Sequence, residues 1–257
     1  MGSIPTRRTE QMRSLAEISS VLTLIEHGLN DSAIARETGI SRTTIRQWRR
    51  NGAPGLRAGR GTCVACSGDL EALPSSRYAY LLGQYLGDGF IARMPNGVFV
   101  LRIFSFSGYP NIIKECTDAM AAVLPNKVRV ASVPGVNLVV ITSYSKHWPC
   151  LFPQHGVGRK HERPIQLATW QQSIVEHHPE AFLRGLIHSD GCRYINRVKK
   201  YEYPSYGFTN MSLDIATLFT DACDQVGVRW RRSSFKNIAV TRRESVAIMD
   251  SFIGPKT

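Results

Sequence analysis

Two rhythms of apolar and polar positions run along this chain: a helical one through residues 14–50, and alternating helix and strand patterns from about residue 77 onward. The most regular helical run is Phe182-Leu183-Arg184-Gly185-Leu186-Ile187-His188-Ser189-Asp190-Gly191. A near-copy, Tyr80-Leu81-Leu82-Gly83-Gln84-Tyr85-Leu86-Gly87-Asp88-Gly89, lies about 100 residues upstream. In each copy small residues stand four apart, Gly83 with Gly87 and Gly185 with Ser189, and the run stops at Asp-Gly, a helix-end signal. A stripe of small residues lets two helices meet at backbone contact and brings their C-terminal ends together, and with them Asp88 and Asp190.

The duplication extends past these runs. Phe106-Ser107 is echoed by Phe208-Thr209, Thr117-Asp118-Ala119 by Thr220-Asp221-Ala222, Val128-Arg129-Val130 by Val228-Arg229-Trp230, and Asn137-Leu138-Val139-Val140 by Asn237-Ile238-Ala239-Val240, at offsets of about 100 to 103 residues. Each half reads as a motif helix, two β runs, an amphipathic helix (Asn111 to Leu124; Leu213 to Val226), two more β runs and a helical tail, the last being Ser245 to Ile253. Val98 to Phe106 and Val128 to Val133 alternate apolar with polar residues. The alternation predicts one face on the helices and one basic face carrying Arg102, Lys127 and Arg129, with Arg229, Arg231, Arg232, Lys236, Arg242 and Arg243 in the second half.

Residues 9–51 predict three short helices: Ser14 to His27 ending at Gly28, Ser32 to Thr38 capped by Asn30 or Asp31, and Arg42 to Arg50 capped by Ser41 after a turn at Gly39. Ile34, Ile40, Ile45 and Trp48 form the expected core. Ile34-Ala35, Gly39-Ile40-Ser41 and Thr44-Ile45-Arg46-Gln47-Trp48 resemble the helix-turn-helix of resolvases, transposases and homeodomain-like regulators. That resemblance makes the third helix a recognition helix with Arg42, Thr43, Arg46 and Gln47 outward, Arg suited to guanine edges and Gln to adenine edges. The bland alternative is a three-helix bundle with a solvated basic face.

Composition narrows the partner. The 257 residues carry a formal charge of +12 and a pI near 9.7, which points to a polyanion. Nucleic acid fits better than membrane, since the sequence has no apolar run of membrane-spanning length, signal peptide or lipidation motif. Six Cys without a signal predict reduced thiols in a cytoplasm. Residues 1–8 read as a loose basic arm. Residues 52–76 read as a linker, in which Arg57 and Arg60 either enter a minor groove or simply belong to a tether. Within it Cys63-Val64-Ala65-Cys66 is half a zinc site. His147-Trp148-Pro149-Cys150 would complete a Cys₃His set; otherwise these are two surface thiols and an ordinary Cys150.

A carboxylate at a helix C-terminus sits at the wrong end of the dipole, and a second one nearby adds repulsion. A divalent cation relieves both, and hard carboxylate oxygens suit Mg²⁺ or Mn²⁺. The alternative is that Asp-Gly merely ends each helix.

The paired stretches Leu81 to Gly89 and Leu183 to Gly191 resemble the two motifs of single-chain LAGLIDADG homing endonucleases, over roughly residues 77–257. The resemblance implies an α+β fold in which two pseudo-symmetric αββαββα repeats (77–150 and 179–257, joined by 151–178) form a saddle whose sheets lie in the DNA major groove. It implies that Asp88 and Asp190 bind the catalytic metals and that Lys146 and Arg242, just past matching strands, stabilise transition-state charge. This sequence departs from the family at Gln84, Tyr85 and Leu86, at Arg184 and His188, and at Gly87; Tyr85 and His188 are secondary candidates. Gly156 to Ile165 resembles the basic segment before the second motif of intein-type members.

The expectation is therefore a cytoplasmic, monomeric, sequence-specific binder of double-stranded DNA with an added helix-turn-helix anchor and Mg-dependent endonuclease chemistry. Arg102, Arg129, Arg229, Arg231 and Lys236 are its saddle contacts. The alternative is a transcription regulator that reads DNA without cutting; an RNA-splicing cofactor is a third reading.

Overall fold

The structure, a computed structural model, describes residues 15–51 and 63–256. The expected arm at residues 1–8, and Arg57 and Arg60, lie outside the described residues. The chain divides into two compact units, the second beginning at Cys63.

The first unit holds α1 (Leu15–Glu26), α2 (Asp31–Thr38) and α3 (Arg42–Asn51). Asn30 Oδ1 accepts from the Ser32 and Ala33 amides, two donors that the first turn of α2 leaves open. Gly39 ends α2 at φ 69°, a left-handed conformation that glycine adopts without strain. Ser41 Oγ then accepts from the Thr44 amide to start α3. Ile34, Ile40, Ile45 and Trp48 are buried, joined by Ile18 and Val21.

The second unit opens with a short helix, α4 (Val64–Ser67), followed by two halves built alike. The first has α5 (Ser75–Asp88), β1 (Gly89–Arg93), β2 (Phe99–Phe106), α6 (Pro110–Val123), β3 (Val128–Ser132), β4 (Leu138–Ser145) and α7 (Trp148–Leu151). A connector carrying α8 (Thr169–His177) leads to the second, with α9 (Pro179–Asp190), β5 (Gly191–Val198), β6 (Tyr201–Thr209), α10 (Leu213–Gln225), β7 (Arg231–Arg232), β8 (Asn237–Val240) and α11 (Arg243–Ile253). The sheets are antiparallel with matching orders, β1-β2-β4-β3 and β5-β6-β8-β7. Both halves are αββαββα. One continuous core runs through both, from Tyr78 and Leu82 to Phe208 and Ile253.

The strand register departs from the sequence echo. Gly89 pairs with Ile103, whereas Gly191 pairs with Phe208, so Phe208 takes the place of Ile103 and not of Phe106. The slip is three residues, and an odd slip exchanges the faces of a strand. Phe106 is accordingly exposed, while Phe208 is buried and stacked on Phe219 with ring centroids 4.2 Å apart. The third strand of the second half also starts later than the echo predicts: Val228, Arg229 and Trp230 precede β7.

Candidate nucleic-acid interface and paired-carboxylate site

The site begins with the packing of α5 on α9. A Cβ on Gly83 would lie 2.6 Å from Phe182 O, and one on Gly87 would lie 2.1 Å from Ser189 Oγ and 3.1 Å from Asp190 Cγ. The small residues therefore permit backbone contact along the whole crossing, and each helix ends at its aspartate, with β1 and β5 starting at the next residue.

Asp88, exposed to solvent, and Asp190, half-buried, consequently share one like-charged environment. Desolvation raises the Asp88 carboxyl above its ordinary range. Burial, reinforced by Asp88, raises Asp190 to about 6. Asn210 Nδ2 donates to Asp190 Oδ2 at 2.6 Å; a side-chain amide there is offered only by the second half, because the strand register puts Ser105 at the corresponding position of the first.

Two ammonium groups stand beside the pair. Lys160 Nζ, from the connector, donates to the carbonyls of Tyr85, Leu86 and Gly87, the last of these at 2.8 Å, and so caps the C-terminus of α5. Lys256 Nζ donates to Gly191 O, just past the end of α9. Both interact electrostatically with Asp88 and Asp190, and burial lowers both, Lys160 to about 8. Neither was marked by the sequence pattern as a site residue. Lys160 lies in the basic segment Gly158-Arg159-Lys160-His161-Glu162-Arg163, which was the only available signal; Lys256 follows Gly-Pro near the chain end and offered none.

Lys146 and Arg242 are placed elsewhere. The motif ends pair, through Ile103 and Phe208, with Ile141 and Ile238, so Lys146 lies five residues further along the chain and Arg242 four. β4 and β8 carry the chain away from the motif ends over those residues. Lys146 is exposed after β4, and Arg242 precedes α11 as its N-cap residue. Tyr85 is buried against Phe152, with Lys160 Nζ 5.0 Å from its ring.

Alternation gives each sheet an open face. On the first, a row crosses all four strands as Phe90, Arg102, Thr142 and Arg129, and Arg102 lies 5.5 Å over the Phe90 ring. The equivalent row of the second is Cys192, Gly207, Ala239 and Arg231, of which Ala239 is buried. Arg232 pairs with buried Ile238 and so belongs to the opposite side from Arg231. Arg229 and Lys236 are exposed in loops flanking β7. In the first unit Arg42, Thr43, Arg46 and Gln47 are exposed along α3, and Arg46 also pairs with Asp31 at 3.5 Å.

The remaining predicted set assembles in space. The ligand atoms of Cys63, Cys66, His147 and Cys150 lie within 4.8 Å of one another, with Cys66 Sγ 3.3 Å from Cys150 Sγ and 3.5 Å from His147 Nδ1. Burial raises the Cys63 thiol and the Cys150 contact raises Cys66.

This architecture, two αββαββα repeats crossing on their acid-ended first helices, is the LAGLIDADG fold, preceded by a helix-turn-helix. Residues 12–57 match the homeodomain-like domain family. Among solved structures, the chain is similar to I-DmoI in complex with DNA and Ca (16% identity, TM-score 0.48, 70% of this chain and 91% of that one). It is also similar to the N-terminal LAGLIDADG domain of DUF199/WhiA (13%, 0.46, 77% and 87%) and to the homing endonuclease I-WcaI bound to its DNA recognition sequence (14%, 0.44, 77% and 91%). Comparison with curated protein sequences gives no match.

Proposed function

We propose that this protein binds double-stranded DNA sequence-specifically through its helix-turn-helix and the open faces of both sheets, and that it hydrolyses phosphodiesters at Asp88 and Asp190. The observation that carries the reading is the meeting of two mutually repelling carboxylates, Asp88 exposed and Asp190 half-buried, at converging helix ends beside two ammonium groups. Structural aspartates gain nothing from that arrangement, since desolvation and mutual repulsion disfavour their charge.

The site fits a divalent cation: both carboxylates offer hard oxygens and are short of positive charge. When bound, Mg²⁺ or Mn²⁺ would lower the pKa of water and offset charge on the leaving oxygen. Asp88 and Asp190 would hold it, and Asn210 would keep Asp190 oriented. Lys160 and Lys256, one near each motif end, would stabilise negative charge developing on a phosphate at each of two strands.

A second cation has a separate place. Zinc ligands about 2.3 Å (sulfur) or 2.0 Å (nitrogen) from a tetrahedral centre stand roughly 3.5–3.8 Å apart, close to the spacing of the Cys63, Cys66, His147 and Cys150 set. We assign it structural zinc, which ties the start of the second unit to the turn after β4. Such thiolates persist in a reducing cytoplasm, where we place the protein as a monomer with internal two-fold symmetry.

The second reading is a regulator that binds without cutting, favoured by the separate helix-turn-helix. The deciding experiment incubates wild type, Asp88→Asn and Asp190→Asn with a randomised duplex library and Mg²⁺ or Mn²⁺, then sequences bound and cut ends. Cutting at a recurring site that both substitutions abolish supports the endonuclease. Specific enrichment without cutting, unchanged by either substitution, identifies the regulator.

A further inference from the structure

Arg184 and His188 replace Leu82 and Leu86 of the first motif, and in the structure they act on one target. From α9, Arg184 Nε and Nη2 engage both carboxylate oxygens of Glu115 on α6 at 2.8–3.1 Å. Its Nη1 donates to Phe252 O at 2.7 Å and to Ile253 O, carbonyls at the end of α11. His188 is held at both ring nitrogens. Ile253 O can only accept, so Nε2–H donates to it at 3.1 Å, leaving Nδ1 to accept from Tyr80 OH at 3.2 Å. Gln84 Nε2 completes the chain by donating to Tyr80 OH at 2.9 Å. Carbonyls at a helix C-terminus have no partner within the helix, and here side chains of α9 satisfy them.

The chain leaves this clamp through Gly254, at φ 70° and ψ 174°, a backbone region open essentially to glycine alone. A Cβ there would lie 3.0 Å from Arg184 Nη1. Two residues later Lys256 reaches Gly191 O beside the aspartates.

We propose that Arg184 and His188 are positioning residues: they clamp the end of α11 so that Lys256 is delivered to the paired carboxylates. The geometry stands alone, while its catalytic consequence rests on the proposed function. The two ammonium groups are thus placed by different means. Lys160 is held by the carbonyls of the helix it serves, whereas Lys256 depends on a grip at Phe252 and Ile253.

The test labels the full chain with acetic anhydride and reads Lys256 acylation by mass spectrometry against exposed Lys127, in wild type, Arg184→Met and Gly254→Ala. Gly254→Ala leaves the core untouched, so it reports on the clamp even if Arg184→Met folds poorly. DNA cleavage is measured in parallel for wild type, Arg184→Met, Lys256→Met and the double variant. The expected result is Lys256 labelling raised about ten-fold in the clamp variants. Arg184→Met should slow cleavage by the same factor as Lys256→Met, and the double variant should lose no more. Unchanged Lys256 labelling in folded Gly254→Ala, or rate losses that multiply in the double variant, overturns the proposal. If wild-type protein cuts no DNA, the endonuclease reading falls and the labelling still decides the clamp.

Discussion

Gly185 lies against Gly83 at backbone contact: a Cβ on Gly185 would stand 3.0 Å from Gly83 Cα and 2.2 Å from Tyr80 O. No rotamer can relieve a clash with a carbonyl on the facing helix. Gly185→Ala should therefore destabilise the second unit by about 3 kcal/mol, the upper range for overpacking. Urea unfolding measures this, and a loss below 1 kcal/mol would show that α5 and α9 separate easily.

The buried imidazole of His188 makes stability depend on pH. Burial, with Arg184 nearby, lowers it from an ordinary 6.5 to about 4. Between those values the unfolded chain binds a proton that the folded one refuses, so this contribution is complete above pH 6.5 and is lost as pH falls through 4. The gap corresponds to about 3 kcal/mol. Asp190, raised to about 6, acts in the opposite sense, its effect destabilising as pH rises. Comparing wild type with His188→Gln isolates the histidine: wild-type stability relative to the variant should fall by about 3 kcal/mol from pH 7 to pH 4, and a constant difference would mean that the imidazole keeps its ordinary pKa when folded.

Removal of zinc should be separable from removal of magnesium. A thiolate-selective chelator, or Cys66→Ser, should strip one zinc per chain and lower the melting temperature by roughly 10 °C, for a site loaded a thousand-fold above its dissociation constant. Asp88→Asn should leave zinc content unchanged. Metal analysis of protein purified without added metal checks both, and its finding no zinc in the wild type would remove the assignment.

The arginine rows predict unequal contributions from the two sheets. Arg102→Ala and Arg129→Ala should each reduce the slope of log affinity against log salt by about 1, as expected for lost phosphate contacts. Arg231→Ala should do likewise, whereas Arg232→Ala, on the other side of its sheet, should leave the slope unchanged. Titrations at several ionic strengths on one duplex distinguish these outcomes.

Features fixed by local pattern were legible in the sequence. Helix ends at Asp88 and Asp190, the caps at Asn30 and Ser41, and the small-residue stripe all follow from residue type and spacing. The Cys₃His set was legible because CxxC and HxxC each fix half of it, although 81 residues separate Cys66 from His147. Features set by tertiary placement were not. Lys146 and Arg242 sit at strand ends that seemed equivalent to the site, but β4 and β8 run away from it; the ammonium groups come instead from a single 3₁₀ turn (Lys160–Glu162) after α7 and from the segment after α11. The face of Phe208 was misjudged because the echo with Phe106 preserves residue type while register decides orientation.

The two rows across the open faces carry a last consequence. Phe90, Arg102, Thr142 and Arg129 offer an aromatic ring and two guanidinium forks; Cys192, Gly207 and Arg231, around buried Ala239, offer a thiol, a bare backbone position and one fork. The backbone repeats and the chemistry does not. Two identical inverted half-sites would suit one row and leave the other without matching groups, so the preferred sequence should be non-palindromic, its two arms differing most where these rows would meet the bases.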